Sequence, residues 1–385
     1  MNTGPPNTEP PDTGPPNTGP PNTGPPNTGP PNTGPLLRIE DLRVSFRTAQ
    51  GPVLAVNGLS LALHDNEVLA IVGESGSGKT LTGLCVLGIE PAGAAVTGRV
   101  WFRGEDLRAA SPRRLRDIRG ASIAMIFQEP MTSLNPSMTV GRQVAEVLRR
   151  HQGLSGNEAR SRVLELFDLV RLPSAARHLR SYPHQLSGGM RQRVMIAMAV
   201  ACGPALLIAD EPTTALDPTI QAQILGLLRD LRTTLGMSVL LITHDLGIVG
   251  RMADRVAVMY AGHVLERAPT AELLAEPAHP YTAGLLGAVP LPGSSAETRR
   301  LTPIPGQVPL LRAEPGQCVF SPRCAYVEPR CLTAQPALRT VDPGTADPGT
   351  GKRDGAAPEG PHQAACVLDR IPDRAPTTAP GAQAT

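Results

Sequence analysis

Directly after the apolar run Val68-Leu-Ala-Ile-Val72 the chain reads Gly73-Glu-Ser-Gly-Ser-Gly78-Lys79-Thr80. That spacing is the pattern of a glycine-rich phosphate-binding loop set between a buried strand and a helix. Glycines let backbone N–H groups converge on phosphate oxygens without Cβ clashes, and the helix that follows adds the positive end of its dipole. Gly73, Ser75, Gly76, Ser77 and Gly78 are thus candidate cradle residues. Lys79 is placed to reach the β- and γ-phosphates, and Thr80 to ligate Mg²⁺.

A strand of this kind needs neighbours of the same kind. Leu206-Leu-Ile-Ala209, Val239-Leu-Leu-Ile-Thr243 and Val256-Ala-Val-Met-Tyr260 are continuous apolar runs suited to strands buried on both faces. Helix-like stretches such as Ile220 to Leu235 lie between them, which predicts an α/β fold with a largely parallel sheet. Leu37 to Phe46 and Val53 to Leu63 read as strands of an antiparallel edge, with a turn at Gly51-Pro52. The stretch from about Met131 to Ala201 lacks such strands and is expected to be mostly helical.

One of the buried runs ends in Asp210-Glu211. Asp210, at the C-terminal end of a strand beside the phosphate loop, is expected to hold Mg²⁺, through water, and Glu211 to act as general base on the attacking water. Together these residues define a nucleoside-triphosphatase and nothing narrower.

Composition excludes some alternatives. The formal charge of +2 carries no pull toward nucleic acid, and the basic stretch Arg108 to Arg119 reads as a solvated helix or loop. No charged segment followed by an apolar core opens the chain, so no signal peptide is expected. The apolar run Val194 to Ala209 approaches membrane-spanning length but is divided by Gly203-Pro204 into a helix-like and a strand-like half. A cytoplasmic chain follows, touching the membrane only through partners. Residues 1–35 repeat Asn-Thr-Gly-Pro-Pro and lack leucine, valine and aromatics until Leu36, which predicts a solvated, partly polyproline-II tail. Asp342 to Pro361 is of low complexity and is expected to be a disordered loop, and residues 371–385 a loose tail.

Leu186-Ser187-Gly188-Gly189-Met190-Arg191-Gln192-Arg193 resembles the signature motif of ABC ATPases. Ser187 can cap a helix whose first turn, opened by Gly188 and Gly189, presents bare N–H donors to an anion. The resemblance implies a head-to-tail dimer in which this motif completes the ATP site on the partner's phosphate loop. Further elements follow in the family's order. Gln128 matches the glutamine that senses Mg²⁺ and the attacking water. Asp217, in Ala215-Leu216-Asp217, matches the loop that crosses the dimer interface. His244, in Thr243-His244-Asp245, matches the histidine on the γ-phosphate, and Phe46 aligns with the aromatic that stacks on adenine. The implied fold is an ABC-type domain over residues 36–265, with a parallel-sheet core, an antiparallel β edge, and a helical subdomain at about 131–201 that touches the membrane subunits. A small irregular extension follows over 266–370.

Gln128-Glu-Pro-Met-Thr-Ser-Leu-Asn-Pro136, Tyr182-Pro-His-Gln-Leu-Ser-Gly-Gly-Met190 and His279-Pro-Tyr-Thr282 resemble the peptide- and nickel-import branch. That implies an ATP-hydrolysing importer subunit on the cytoplasmic face of the membrane. Its implied partners are a second ATPase subunit (the same chain or a paralogue), two membrane permeases and an external solute-binding protein. The contrasting class, soluble ABC ATPases acting on DNA or ribosomes, often carries two ATPase domains or a long coiled-coil insertion, and this chain has neither.

Of the six cysteines, Cys85 and Cys202 lie in apolar contexts and read as small buried hydrophobes. Cys318, Cys324, Cys331 and Cys366 gather in the extension. As four soft ligands they are candidates for an iron–sulfur cluster or a structural zinc, with free structural thiols as the alternative. The import branch has a similar cysteine set, and its resemblance favours a [4Fe–4S] cluster. The long separation of Cys331 and Cys366 does not forbid this, because loop-closure cost grows slowly with length.

Overall fold

The computed structural model describes residues 34–129, 133–214, 216–288, 303–341 and 360–372. The repeat tail up to residue 33, Pro130, Met131 and Thr132 of the glutamine motif, Ala215, the low-complexity stretch 342–359 and the tail from 373 lie outside the described residues.

Among the described residues there are two sheets. The main one has eight strands, with β10 (His263–Pro269), β12 (Gln363–Ala364) and β11 (Arg339–Thr340) at one side. Its parallel part comprises β9 (Arg255–Tyr260), β3 (Val68–Val72), β8 (Ser238–Thr243), β7 (Leu206–Asp210) and β6 (Ile123–Ile126). Side chains alternate across a strand, so each buried strand feeds two cores. Val68, Ala70 and Val72 face one layer, with Leu207, Ala209, Val239 and Leu241. Leu69 and Ile71 face the other, with Leu206, Ile208, Leu240 and Ile242. Each buried Val, Leu or Ile among them contributes about 1.5–3 kcal/mol, which explains why these runs contain almost no polar residue.

The first layer holds helices Val140–Gln152, Gly156–Leu169 and Gly188–Val200. The second holds helix Lys79–Leu87 and the other sheet, ordered β2-β1-β4-β5, of β1 (Leu37–Thr48), β2 (Gly51–Leu63), β4 (Ala94–Phe102) and β5 (Glu105–Asp106). The turn between β1 and β2 lies two residues earlier than Gly51-Pro52. Thr48 pairs with Gly51, leaving Ala49-Gln50 as the two-residue turn, and the Thr48 hydroxyl donates to the Gly51 carbonyl at 2.6 Å. Pro52 is tolerated inside β2 because that strand is at the sheet edge.

The basic stretch is less solvated than its composition implies. Helix Pro112–Ile118 carries exposed arginines, but Arg119 donates to the Leu87 and Gly88 carbonyls at 2.7 and 2.8 Å and so caps the end of helix Lys79–Leu87. The apolar run around Gly203-Pro204 divides as expected, helix Gly188–Val200 giving way to β7. Among the described residues no helix is long and apolar enough to cross a membrane.

The extension is sewn into the body. Position 265 falls inside β10 (His263–Pro269), and β12 (Gln363–Ala364) pairs with β10 while β11 (Arg339–Thr340) pairs with β12. These strands make a second antiparallel edge, on the main sheet. Leu54 of β2 donates its N–H to the Leu311 carbonyl at 2.8 Å, so the extension also covers the free edge of the N-terminal sheet. Apart from these strands its regular structure from 303 to 341 is two short 3₁₀ turns, Ser321–Arg323 and Pro329–Leu332.

Candidate functional site

The phosphate loop leaves β3 and enters helix Lys79–Leu87. Gly78 has φ +99° and a Cβ there would stand 2.5 Å from the Ala55 carbonyl; one on Gly73 would stand 2.0 Å from that of Met259. Only glycine fits at these two positions, between β2 and β9. Ser75, Gly76 and Thr80 are exposed and Ser77 is buried, so the loop has one open face. No side chain caps the helix, and its first N–H groups remain available to an anion. Lys79 is buried and folded under the loop, donating to the Gly73 and Glu74 carbonyls at 2.8 and 2.9 Å. Burial pushes its pKa down, against the pull of Glu211, Asp210 and Glu74.

Asp210 and Glu211 leave the end of β7, the next strand but one. Thr80 Oγ1 donates to Asp210 Oδ1 at 3.1 Å. Asp210 is 1% exposed, and desolvation raises its pKa to about 6. Glu211 has the left-handed φ of 45°, with its N–H held by the Ile242 carbonyl at 2.8 Å. This turn aims its carboxylate where three donors meet: Gln128 Nε2 at 3.0 Å, Thr214 Oγ1 at 2.8 Å and His244 Nδ1 at 3.1 Å. Burial pushes the Glu211 carboxyl up, but bonds from Thr214 and His244 outweigh it, and its pKa lies below the usual carboxylate range. An ionised, oriented carboxylate beside a phosphate cradle can accept a proton from water.

The structure therefore brings together the Gly73–Thr80 loop, Asp210, Glu211, Gln128 and His244. Thr214 joins them without having been legible in advance; its only signal is its place three residues after Glu211. Ser187, Gly188, Gly189 and Asp217 form a second group. Ser187 caps helix Gly188–Val200 by accepting from the Met190 N–H at 3.4 Å. Asp217 caps helix Pro218–Leu235 through the Ile220 N–H at 3.0 Å. Cβ atoms on Gly188 and Gly189 would meet Leu216 and Ile220, so the two caps are neighbours. Ser187, Gly188 and Asp217 are exposed. Phe46, in β1 opposite Val53 and Ala94, is half-buried against the second core.

The cysteines depart from expectation in one respect. Among the described residues no three histidine, cysteine, aspartate or glutamate side chains stand at metal-holding geometry. Yet Cys318, Cys324, Cys331 and Cys366 all line one small apolar cavity with His279, Phe320 and Tyr326. Backbone N–H groups of Tyr326, Glu328 and Leu368 point at the sulfurs of Cys324, Cys331 and Cys366 at 3.4, 3.4 and 3.5 Å. Burial, reinforced by the neighbouring sulfurs, pushes the Cys324 thiol up to about 12. Burial likewise raises the Cys318 and Cys366 thiols. Cys85 is buried and Cys202 half-buried.

Comparison with known proteins assigns the class. The ABC transporter family profile matches residues 56–214, and that of the oligopeptide/dipeptide transporter C-terminal region matches 265–331. The chain belongs to the ABC transporter family. Within it, the chain is the ATP-binding, ATP-hydrolysing subunit of an importer of the oligopeptide/dipeptide type. It is similar to a putative peptide import ATP-binding protein of Brucella abortus, 51% identical over 294 residues, spanning 76% of this chain and 88% of that protein. The dipeptide transport ATP-binding protein DppD of Bacillus subtilis is 52% identical over 292 residues, 75% of this chain and 86% of that one. Among solved structures, the dimeric post-hydrolysis state of the ATP-binding cassette MJ0796 bound to ADP and Pi matches with a TM-score of 0.55 and 29% identity, covering 61% of this chain and 98% of that one.

Proposed function

We propose that the chain closes head to tail with a second ATPase subunit over two ATP molecules, and that Glu211 is the general base for their hydrolysis. The observation that carries this reading is the convergence of Gln128, Thr214 and His244 on one carboxylate beside the phosphate loop. Lys79 swings from the Gly73 and Glu74 carbonyls to the β- and γ-phosphates, and His244 turns to the γ-phosphate. Thr80, Asp210 and Gln128 hold Mg²⁺, which supplies charge neutralisation on the phosphate oxygens when bound. They suit it: hard oxygen donors, among them a buried carboxylate whose desolvation outweighs the help of Thr80 and Lys79. Phe46 stacks on adenine. Ser187 and Gly188, which are exposed, and the half-buried Gly189 complete the partner's site across the Asp217 loop.

The ATPase body is taken as 36–265, with the helical subdomain at about 131–201, and the extension as 266–370. The two family matches support that division. An apolar groove of about 280 Å³, lined by Ile89, Phe127, His151, Met195 and Met198, borders Gln128, and Ile89 and Phe127 are exposed there. It is the docking place of a permease helix, one permease per ATPase subunit, so the chain works peripherally at the cytoplasmic face. An external solute-binding protein delivers peptides or similar small solutes. Nucleic acid has no place in this reading, consistent with the charge of +2. The cysteine cavity takes a [4Fe–4S] cluster, or zinc, once the thiols lose their protons. The amide donors at three of the sulfurs favour thiolates. Iron, sulfide and zinc analysis after anaerobic purification tests this; metal-free protein overturns it.

Replacing Glu211 by Gln keeps the shape and removes the base. Turnover should fall at least about a hundredfold and ATP-bound dimers accumulate, as read by phosphate release and light scattering. Unchanged turnover refutes the assignment.

A further inference from the structure

Glu74 is the second residue of the phosphate loop, and none of the chemistry above uses its side chain. It is nevertheless the most heavily tethered residue there. Its N–H donates to the Tyr281 hydroxyl at 2.9 Å, its carbonyl accepts from Lys79, and both carboxylate oxygens accept from Arg323, at 2.6 and 3.0 Å. Arg323 comes from the extension, 249 residues further along. Its side chain is 6% exposed. The rest of the guanidinium is satisfied by the Pro305 and Ile304 carbonyls at 2.6 and 3.2 Å, and it lies 5.6 Å from the centre of the Tyr260 ring. Tyr260 in turn packs edge to face with Tyr281 and Phe320. A bidentate pair whose guanidinium is buried while the Glu74 carboxylate stays partly exposed fixes both partners in position and orientation.

Arg323 is in turn held by the cysteine segment. It sits in the turn Ser321–Arg323 between Cys318 and Cys324, whose N–H groups bond to the Cys331 and Ser321 carbonyls at 2.8 and 3.3 Å. The turn is closed by the Ser321 N–H on the Cys318 carbonyl at 2.9 Å. The four-cysteine cavity and the phosphate loop are thus linked through the Arg323 turn.

We propose that Arg323 is a positioning residue for the phosphate loop, through which the cysteine-bearing segment governs ATP affinity. It acts in two ways. It sets the course of the loop at Glu74, where the backbone must turn its N–H groups toward phosphate. It also cancels a carboxylate charge that would otherwise face the triphosphate. The second role gives a signature that simple scaffolding lacks. Without Arg323, the Glu74 charge is free to repel ATP, and removing that charge restores binding.

The inference rests on the phosphate-loop reading, so the test carries a control for it. Binding of a fluorescent ATP analogue to the purified full-length chain is measured for Arg323→Gln, Glu74→Gln, the double variant and Lys79→Ala. Arg323→Gln should raise the Kd about tenfold, the scale of a lost charge-assisted pair next to like charge. The double variant should recover to within about threefold of the parent, a non-additive cycle. In steady state the loss should fall on KM, with kcat within about twofold. Cys324→Ser should weaken binding in the parent and have no further effect in the Arg323→Gln background. Arg323→Lys, which keeps the charge, covers the case in which the glutamine variant does not fold, and should show a smaller rise in Kd. Parent-like binding by Arg323→Gln, or a double variant as weak as Arg323→Gln alone, overturns the proposal. Full binding by Lys79→Ala would instead overturn the phosphate-loop assignment beneath it.

Discussion

Replacing Glu266 by Ala should detach the extension from the sheet, at a cost that can be worked from its bonds. Glu266 is 0% exposed in β10. One oxygen accepts from the Ala278 N–H and from His362 Nε2, both at 2.7 Å, and the other from the His279 N–H at 3.0 Å. The alanine variant strands two backbone donors and an imidazole, at about 1–3 kcal/mol each. Relief of the buried carboxylate's own desolvation offsets part of this, leaving about 4 kcal/mol, the usual scale for breaking a buried polar pair from one side. With a urea slope of about 3 kcal/mol/M, the unfolding midpoint should drop by about 1.3 M. Circular dichroism in urea reads this directly, and amide exchange at Ala278 and His279 should accelerate together with it. Glu266→Gln, which keeps one acceptor, should cost less than half as much. A midpoint shift below about 0.2 M for the alanine variant would refute the view that this carboxylate fastens helix Pro280–Gly287 and the strand after His362 to the sheet.

Asp210→Asn should stabilise the nucleotide-free chain while abolishing Mg²⁺-dependent hydrolysis. Because burial raises the folded pKa to about 6, the charge destabilises the fold as pH rises from the unfolded value through about 6. The gain should therefore approach about 3 kcal/mol near pH 7.5 and vanish near pH 3, and a Tm increase equal at both would contradict it. Gly73→Ala puts a Cβ 2.0 Å from the Met259 carbonyl. It should cost about 1–3 kcal/mol of stability by overpacking and weaken ATP binding at least tenfold, measured by melting and fluorescent-nucleotide titration. Ile89→Asp places a charge in the apolar groove and should reduce co-purification with permeases at least about fivefold, as quantified by pull-down from detergent extracts.

The chemistry was largely legible in the sequence because it is local. The loop Gly73–Thr80, Asp210-Glu211 and the cap at Ser187 each announce themselves within a few residues, and the buried strands carry the apolar runs that two-sided burial demands. What could not be read was contact between distant segments. Nothing near Arg323 marks it as the partner of Glu74, and nothing in Thr214 says that its hydroxyl reaches the Glu211 carboxylate. The strands β11 and β12 are two residues each, too short for any alternation to register. Gly51-Pro52 is the stronger local turn signal, yet cross-strand register puts the turn at Ala49-Gln50.

The pairing of β11 with β12 has a practical side. The Val341 N–H bonds to the His362 carbonyl at 2.9 Å, so the excursion from 342 to 361 starts and returns at the same spot. Cys366 is delivered to the cavity by that clasp, whatever the length of chain beyond it. A reporter domain spliced between the two strands should therefore leave ATP turnover unchanged.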